Sequence, residues 1–363
     1  MSHNRKGERF ELEPLVTLAI ASYNNATYIE RCINNALRQT YTNVEILVID
    51  DGSTDSTDSI IETNYSNTVK YIKKENGGLS TSRELALNTA KGEYICFIDA
   101  DDYCSNEYIK HMTQKMITSN ADICVCGTVF LDMNGKEIKE FSDAFCYLKE
   151  IPPTRIDNDL LAEQFSELNR IYKTSDSWNK IYKRSFILKS DVHFLTPKGL
   201  NGTDSSFNKR ILLHNPVIAT IATNEYYHVI YNNSAVHRKN KKQQIAMQVL
   251  YDQLMEEAKK VGNYALLYHQ LISVYYGALR DSFEDVYNEN KGNYKALYAE
   301  FLKIIDSHSK YTSSRNISNN TDNTFSKSIN LFIRCVESKN VWRVMLHIRM
   351  RRILISLWEK SLM

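Results

Sequence analysis

Short apolar runs alternate with helical patterns at the start of the chain, and this alternation is the clearest signal in the sequence. The apolar, β-rich runs are 15–22, 44–50, 69–72 and 94–98, and the helical patterns between them are 26–39, 54–62 and 80–90. Apolar strands joined by helices are typical of a parallel, doubly wound sheet with helices on both faces. We therefore predict an α/β domain that binds its ligands where the strands end.

The pattern then becomes mixed and finally helical. Residues 123–130 and 217–231 read as strands, whereas 176–184 and 202–213 read as loops leading into helices. From 239 onward, long patterns with few Gly or Pro predict helices, interrupted by a polar stretch near 307–323. We predict two domains, an α/β domain over 1–238 and a helical region over 239–363.

Two acidic clusters follow predicted strands directly. The segment 50–55, which begins Asp50-Asp51-Gly52, places a carboxylate at a strand end before a capped helix. Such a carboxylate can accept hydrogen bonds from a nucleotide base or ribose, or it can simply cap the next helix. Asp99-Ala100-Asp101-Asp102 can share Mg²⁺ or Mn²⁺ with nucleotide phosphates, or it can be a solvated acidic turn.

A glycine pair precedes the third helical pattern. Gly77-Gly78 permits a close backbone approach before the helix, and a helix N-terminus suits a phosphate. Arg83 lies about one turn into this helix and can reach a phosphate or the acidic loop. A plain helix-start turn explains the same residues equally well.

Composition excludes some partners. The net charge of +2 gives no sign of nucleic acid as a partner. The seven cysteines include no C-x-x-C pair, and Cys124 and Cys126 point to one face of an apolar strand, so we expect reduced core cysteines and a cytoplasmic protein. We see neither the apolar core of a signal peptide nor a run long enough to span a membrane.

Four segments occur in the order and spacing of family 2 glycosyltransferases, and the chain therefore resembles that family. They are 16–24, 50–55, 75–83 and 91–102. The match is strong over 14–130 and looser to about 235. The resemblance implies a GT-A fold, a Rossmann-like and mostly parallel catalytic sheet, and an inverting transfer from a nucleotide-activated sugar, usually a UDP-sugar.

The resemblance also implies which residues surround the nucleotide. Ala21 and Tyr23 would line the base pocket, and Asp51 would accept a hydrogen bond from uracil. Lys73 and Arg83 would lie near the diphosphate.

The same resemblance implies the reacting groups. Asp99, with Ala100 beside it, would hold the ribose, and Asp101 would bind Mn²⁺ or Mg²⁺. Asp204 would be the general base that takes the proton of the acceptor hydroxyl. His237 can complete the metal shell or contact the diphosphate; a structural or surface histidine is the alternative for it and for His228.

Three positions depart from the family pattern. Ala21 stands where proline is usual, Glu84 where asparagine is usual, and Thr203 where glutamate usually precedes the base. The Gln-x-x-Arg-Trp motif of processive polysaccharide synthases is absent from the sequence. We therefore expect the transfer of one sugar rather than chain extrusion.

Two further features have two interpretations each. Trp178 is either part of an acceptor floor or a core tryptophan. Residues 341–363 combine cations with large apolar residues, so they either lie on an anionic membrane surface or pack on this chain or another subunit.

The resemblance implies a bacterial enzyme that moves one sugar from a UDP-sugar to a cell-surface glycan or a lipid-linked acceptor. An oligomer is compatible with the sequence. Two alternatives stay open: a nucleotidyltransferase with the same metal and phosphate groups, and a catalytically silent glycan-binding or assembly subunit, which Thr203 makes conceivable.

Overall fold

The computed structural model describes residues 13–139, 150–200, 202–231, 243–315 and 327–361. The chain forms two compact units. Residues 1–240 with 256–263 make up the first, here the sheet unit, and 241–255 with 264–363 make up the second, here the helical unit. The domain boundary predicted at 238 stays a prediction, since the sheet unit also takes in a later segment of the chain.

The sheet unit is built on one mixed sheet. Its strands are β1 (Val16–Ser22), β2 (Val44–Asp50), β3 (Lys70–Lys73), β4 (Tyr94–Asp99), β5 (Tyr103–Cys104), β6 (Ile123–Leu131), β7 (Thr154–Arg155), β8 (Lys180–Lys183) and β9 (Val217–Val229). The strand order is β3-β2-β1-β4-β8-β6-β9-β5, with β7 paired to β9. Pairing is parallel in β3-β2-β1-β4 and in β6-β9, and antiparallel wherever β8, β5 or β7 takes part.

Helices connect the strands of this unit. They are α1 (Ile29–Leu37), α2 (Thr57–Tyr65), α3 (Leu79–Thr89), α4 (Tyr108–Ser119), α5 (Asn158–Ile171), α6 (Arg184–Ser190) and α7 (Thr203–Leu212). The central strands are buried on both faces, as in Leu47, Val48 and Ile49, which are fully shielded from solvent. This confirms the predicted α/β class, because only strands covered on both sides are apolar throughout.

The register of the parallel strands sets the position of the polar clusters. Ser22 pairs with Asp50, and Ala21 pairs with Asp99, so β1, β2 and β4 end at the same edge of the sheet. The predicted nucleotide and metal residues therefore meet at one edge although they are far apart in sequence.

One predicted element is wrong. The sequence suggests a loop leading into a helix over 176–184, but β8 occupies Lys180–Lys183 and pairs antiparallel with β4 and β6. The two lysines make this segment look like a surface loop. Lys180 is nevertheless buried, because its ammonium donates to the carbonyls of Lys173 (2.8 Å) and Asp176 (2.6 Å) and to Asn179 Oδ1 (2.7 Å).

Helices dominate the rest of the described chain. They are α8 (Gln243–Lys260), α9 (Tyr264–Glu289), α10 (Tyr294–Arg315), α11 (Lys327–Glu337) and α12 (Val341–Ser361). The predicted helical C-terminal region is thus present. Among the described residues, none of the helices has both the length and the apolar content needed to cross a bilayer.

The cysteines pack as the sequence suggests. Cys124 and Cys126 are both fully buried on β6, and burial raises the pKa of the Cys124 thiol to about 12. Neither forms a disulfide. Thiols of this kind act as small apolar core residues; Cys146 lies outside the described residues.

Candidate active site

A buried arginine joins the acidic loop after β4 to the start of α7. Arg83 on α3 is only 1% exposed, and its Nη2 donates to Asp99 Oδ1 at 2.6 Å. Its other terminal nitrogen forms an ion pair with Asp204. A guanidinium presents several donors in a fixed plane and can therefore bridge two carboxylates. The structure thus brings together three residues to which the resemblance assigns roles.

Asp204 is fixed from a second side as well. Its Oδ2 accepts a hydrogen bond from the Ser177 N–H at 2.9 Å. Asp204 is in the first turn of α7, after Gly202, whose φ of +94° turns the chain into the helix. Thr203, in place of the usual glutamate, is buried at the first helical position. The side chain of Asp204 keeps 12% of its surface exposed.

Asp51 binds the turn that precedes α3. Gly77 N–H donates to its Oδ1 at 2.9 Å and Gly78 N–H to its Oδ2 at 2.7 Å, and Lys74 forms an ion pair with it. Burial opposes ionisation, but these hydrogen bonds hold the pKa of Asp51 below its usual value. Its neighbour Asp50 caps its own turn by accepting from the Ser53 N–H at 2.8 Å. Asp51 therefore holds the turn before α3, whereas Asp50 holds the turn after β2.

Lys73 and Lys74, two adjacent lysines at the end of β3, contact different parts of the structure. Lys73 forms an ion pair with Asp58 on α2 and is largely exposed, whereas Lys74 contacts Asp51. Successive side chains of a strand point to opposite faces, so only one of two adjacent lysines can face the site. The diphosphate role predicted for Lys73 stays a prediction, and Lys74 is the cation that the structure brings to Asp51.

The first motif contributes a loop beside these groups. Tyr23 is 48% exposed, so its ring is free to contact a ligand. The Asn24 N–H donates to Ser53 Oγ at 2.9 Å, which ties this loop to the turn after β2. Ala21 is partly exposed at the end of β1. Ala100 is 2% exposed and packs into the core.

The acidic loop is costly to ionise. Burial and the carboxylates of Asp102 and Asp99 raise the pKa of Asp101 to about 7. Asp102 is fully buried and accepts from Tyr226 OH (2.9 Å), His228 Nδ1 (2.8 Å) and the Val229 N–H (2.8 Å). Burial opposes the charge of His228, but Asp102 raises its pKa to about 9. Asp102 therefore holds the loop, and Asp101 is a carboxyl group of this loop whose ionised form is disfavoured.

This arrangement suits a divalent cation. A carboxylate whose charge is disfavoured by two neighbouring carboxylates gains from a bound cation. Among the described side chains, no three His, Cys, Asp or Glu come together as a metal-holding group. Mg²⁺ in proteins is often held by one or two carboxylates together with substrate phosphates and water. His237 lies outside the described residues.

Arg31 on α1 supports the acidic loop, and its role is not visible in the sequence pattern. Its guanidinium donates to the backbone carbonyl of Asp101 and, at 3.0 Å, to Tyr231 OH. Tyr231 OH also donates to the Asp101 carbonyl, at 3.1 Å. The guanidinium lies 5.1 Å from the ring centre of Tyr103. A lone arginine 70 residues from Asp101 gives no sequence signal; only the fold brings them together.

Glu84, which stands where asparagine is usual, has a specific contact. Its Oε1 accepts from His193 Nδ1 at 2.8 Å, and its Oε2 accepts from the Phe194 N–H at 2.9 Å. These bonds hold the segment after α6 against α3. Further along this segment, Lys198 Nζ donates to the Asn76 carbonyl at 2.7 Å, beside Gly77 and Gly78. Glu84 thus holds a segment that passes close to Gly77 and Gly78, whose N–H groups bind Asp51.

Trp178 is a packed aromatic residue. It is 7% exposed and stacks on Tyr226 and on His228, with ring centres 4.6 Å and 5.2 Å away. Its ring therefore packs against His228, which binds Asp102 of the acidic loop. Most of the Trp178 side chain is buried, as expected for a core tryptophan. The acceptor-floor role stays a prediction for the small exposed part.

The chain is similar to known proteins in sequence and in structure. The family model described as glycosyl transferase family 2 matches residues 17–187. Glycosyltransferase GlyA of Streptococcus pneumoniae is 28% identical over 206 residues, which is 54% of this chain and 28% of that protein. The uncharacterized glycosyltransferase EpsJ of Bacillus subtilis is 31% identical over 189 residues, half of this chain and 51% of that protein. The chain thus spans only part of these relatives.

Solved structures show a likeness over more of the chain. TarS residues 1–349 of S. aureus, solved in complex with UDP-GlcNAc, superimposes with a TM-score of 0.67 at 18% identity. The match covers 93% of this chain and 91% of that one. At this identity the likeness is one of fold, and together with the sheet described above it confirms the predicted GT-A fold.

Proposed function

We propose that this chain, which belongs to glycosyltransferase family 2 through residues 17–187, transfers one sugar from a UDP-sugar to a hydroxyl group of an acceptor, with inversion at the anomeric carbon. The proposed acceptor is a cell-surface glycan or a lipid-linked glycan. The observation that carries the proposal is the bridge from Arg83 to both Asp99 and Asp204. Through this bridge the Arg83 guanidinium holds Asp99, the proposed ribose ligand, close to Asp204, the proposed base.

The nucleotide would lie along the edge where β1, β2 and β4 end. Tyr23, Ala21 and Asp51 would contact the base, and Asp99 the ribose. Arg83, with Lys73 or Lys74, would lie near the diphosphate. The UDP-GlcNAc complex of the TarS structure supports a UDP-sugar as the donor for a chain of this fold.

Asp204 would act as the general base. Its ion pair with Arg83 and the hydrogen bond from the Ser177 N–H hold the Asp204 carboxylate in a fixed position. As the acceptor oxygen attacks the anomeric carbon, its proton passes to Asp204. The bond from the anomeric carbon to the diphosphate breaks at the same time, and UDP leaves with the bonding electrons.

Asp101 would hold Mn²⁺ or Mg²⁺, which supplies positive charge to the leaving diphosphate when bound. Arg31 and Tyr231 would keep the Asp101 backbone in place through the bonds to its carbonyl. Trp178 and His228 would keep Asp102 and the rest of the loop in position. His237 is the further candidate for the metal shell.

UDP release from a panel of UDP-sugars with Mn²⁺ tests the proposal. We expect the wild type to turn over one donor, and Asp204→Asn and Asp101→Ala each to lower the rate at least about 100-fold. Asp306→Asn, at an exposed carboxylate of α10, is the matched control and should keep the full rate. Asp204→Asn should still bind UDP, because the base does not hold the nucleotide.

Two other outcomes would contradict the proposal. UDP binding without turnover of any donor or acceptor would favour a catalytically silent glycan-binding subunit. Pyrophosphate release from a nucleoside triphosphate would favour a nucleotidyltransferase.

A further inference from the structure

One face of α12 is apolar and exposed. Trp342, Leu346 and Met350 are 62%, 61% and 50% exposed and recur every four residues, so they form one stripe along the helix. The face formed by Val344 and Ile348 is fully buried within the helical unit. α12 is therefore already packed through one face, and the stripe is not needed for that packing.

Side chains of two other helices add exposed apolar surface to the helical unit. The Tyr298 ring on α10 lies 5.5 Å from the ring of Trp342, and Leu331 on α11 is 55% exposed. A large apolar area on one side of a unit is a common mark of an interaction site.

The chain segment that carries this stripe has a concentrated positive charge. Residues 331–352 include six Arg or Lys and one acidic residue, a net charge of +5. The whole chain has a net charge of only +2, so all other residues together carry −3. The one acidic residue, Glu337, accepts from Tyr276 OH at 2.5 Å and faces His308, so it is engaged within the helical unit.

Not all of these cations belong to the surface. Arg351 forms an ion pair with Glu284, and Arg352 donates to Asn288. Four exposed cations remain, and with the four apolar side chains they define the basic apolar surface, which consists of Leu331, Arg334, Lys339, Trp342, Arg343, Leu346, Arg349 and Met350.

We propose that the basic apolar surface binds an anionic lipid membrane. Large apolar side chains can enter the headgroup region while cations on the same face meet lipid phosphates. A second copy of this chain, joined face to face, would oppose Arg343 and Arg349 to their own counterparts, and like charges disfavour that contact. A nucleic acid would use the cations but would leave the apolar stripe uncovered.

The proposal deepens the proposed function by naming an anionic membrane as the place where a lipid-linked acceptor would be met, and it rests on that function only for the acceptor. Lipid binding can be measured without any sugar transfer. The side chains beyond Arg352 lie outside the described residues, so the experiment uses the full chain and changes only described positions.

Co-sedimentation with vesicles tests this surface. We expect the wild type to bind vesicles of equal parts phosphatidylglycerol and phosphatidylcholine, but not phosphatidylcholine alone. Trp342→Ser with Leu346→Ser, and separately Arg343→Gln with Arg349→Gln, should each weaken binding about tenfold or more. Added salt should also weaken it, because surface attraction is screened. Leu188→Ser, at an exposed leucine of α6, is the matched control and should bind like wild type.

Three outcomes would overturn the proposal. They are no binding to anionic vesicles, equal binding by wild type and both double variants, and a wild-type oligomer that becomes monomeric when Trp342 and Leu346 are replaced. UDP release is measured on the same samples. If both double variants lose vesicle binding but release UDP at the wild-type rate, membrane binding is separate from catalysis; if the wild type releases no UDP, the vesicle result still stands.

Discussion

Among single residues, Arg83 connects the two carboxylates of the candidate site, Asp99 and Asp204. Asp99 and Asp204 would repel each other and attract water if no cation lay between them. A buried guanidinium removes that conflict and also fixes their separation. The price is that Arg83 itself depends on both partners, because a buried cation without a counter-charge is strongly unfavourable.

Replacing Arg83 with Met should therefore destabilise the fold as well as stop catalysis. Removing one partner of a buried ion pair costs about 3 kcal/mol or more, and the partial exposure of Asp99 and Asp204 favours the low end. Urea unfolding measures this change. Adding Asp204→Asn to Arg83→Met should restore part of the loss, because one unpaired charge disappears; a further loss would contradict the ion-pair explanation.

At the scale of elements, the start of β4 shows why a short motif needs its glycine. The Gly92 N–H donates to Thr17 Oγ1 at 2.9 Å, so the two chain segments lie very close at this point. An added Cβ would come within 2.5 Å of the Thr17 nitrogen and 2.4 Å of the Tyr94 carbonyl oxygen. Backbone atoms of two paired strands cannot give way as a flexible side chain would.

We expect Gly92→Ala to destabilise the protein by about 1–3 kcal/mol, the usual cost of overpacking. Gly277→Ala is the matched control, because an added Cβ in the middle of α9 meets nothing within 4 Å. That change should stabilise the helix by about 0.5–1 kcal/mol. Denaturant midpoints of the two variants should therefore move in opposite directions, and a shift in the same direction would refute the explanation.

At the scale of the whole molecule, the sheet unit is not one continuous stretch of chain. Residues 256–263 belong to it although the stretch before them belongs to the helical unit. Glu257 is 6% exposed. Its Oε1 accepts from His214 Nε2 at 2.9 Å, and its Oε2 lies 3.8 Å from Arg210 Nη1. Asn263 donates to Asn158 Oδ1 at 2.8 Å.

A truncation series tests this division. A chain ending at 240 should unfold about 5–10 °C lower than a chain ending at 263, because Arg210 and His214 lose the Glu257 carboxylate. Glu257→Gln in the longer chain should reproduce part of the decrease. Equal unfolding temperatures for the two truncated chains would mean that 256–263 does not stabilise the sheet unit.

Local sequence patterns were enough to predict the α/β class, the edge of the sheet where the polar clusters lie and the acidic loop. These features depend on short-range patterns, since an apolar strand, a tight turn and a capped helix are each encoded by adjacent residues. The same is true of the cysteines on β6, whose common face follows from the alternation of a strand.

Which side chains come together at this edge of the sheet could be seen only in the folded structure. Lys74 rather than Lys73 reaches Asp51, Arg31 reaches the Asp101 carbonyl, and β8 crosses the sheet through a buried lysine. Each of these depends on an oxygen or a carboxylate supplied by a residue distant in sequence. A charged side chain looks the same in a sequence whether it meets water or such a partner, and burial with that partner is decided only when the chain has folded.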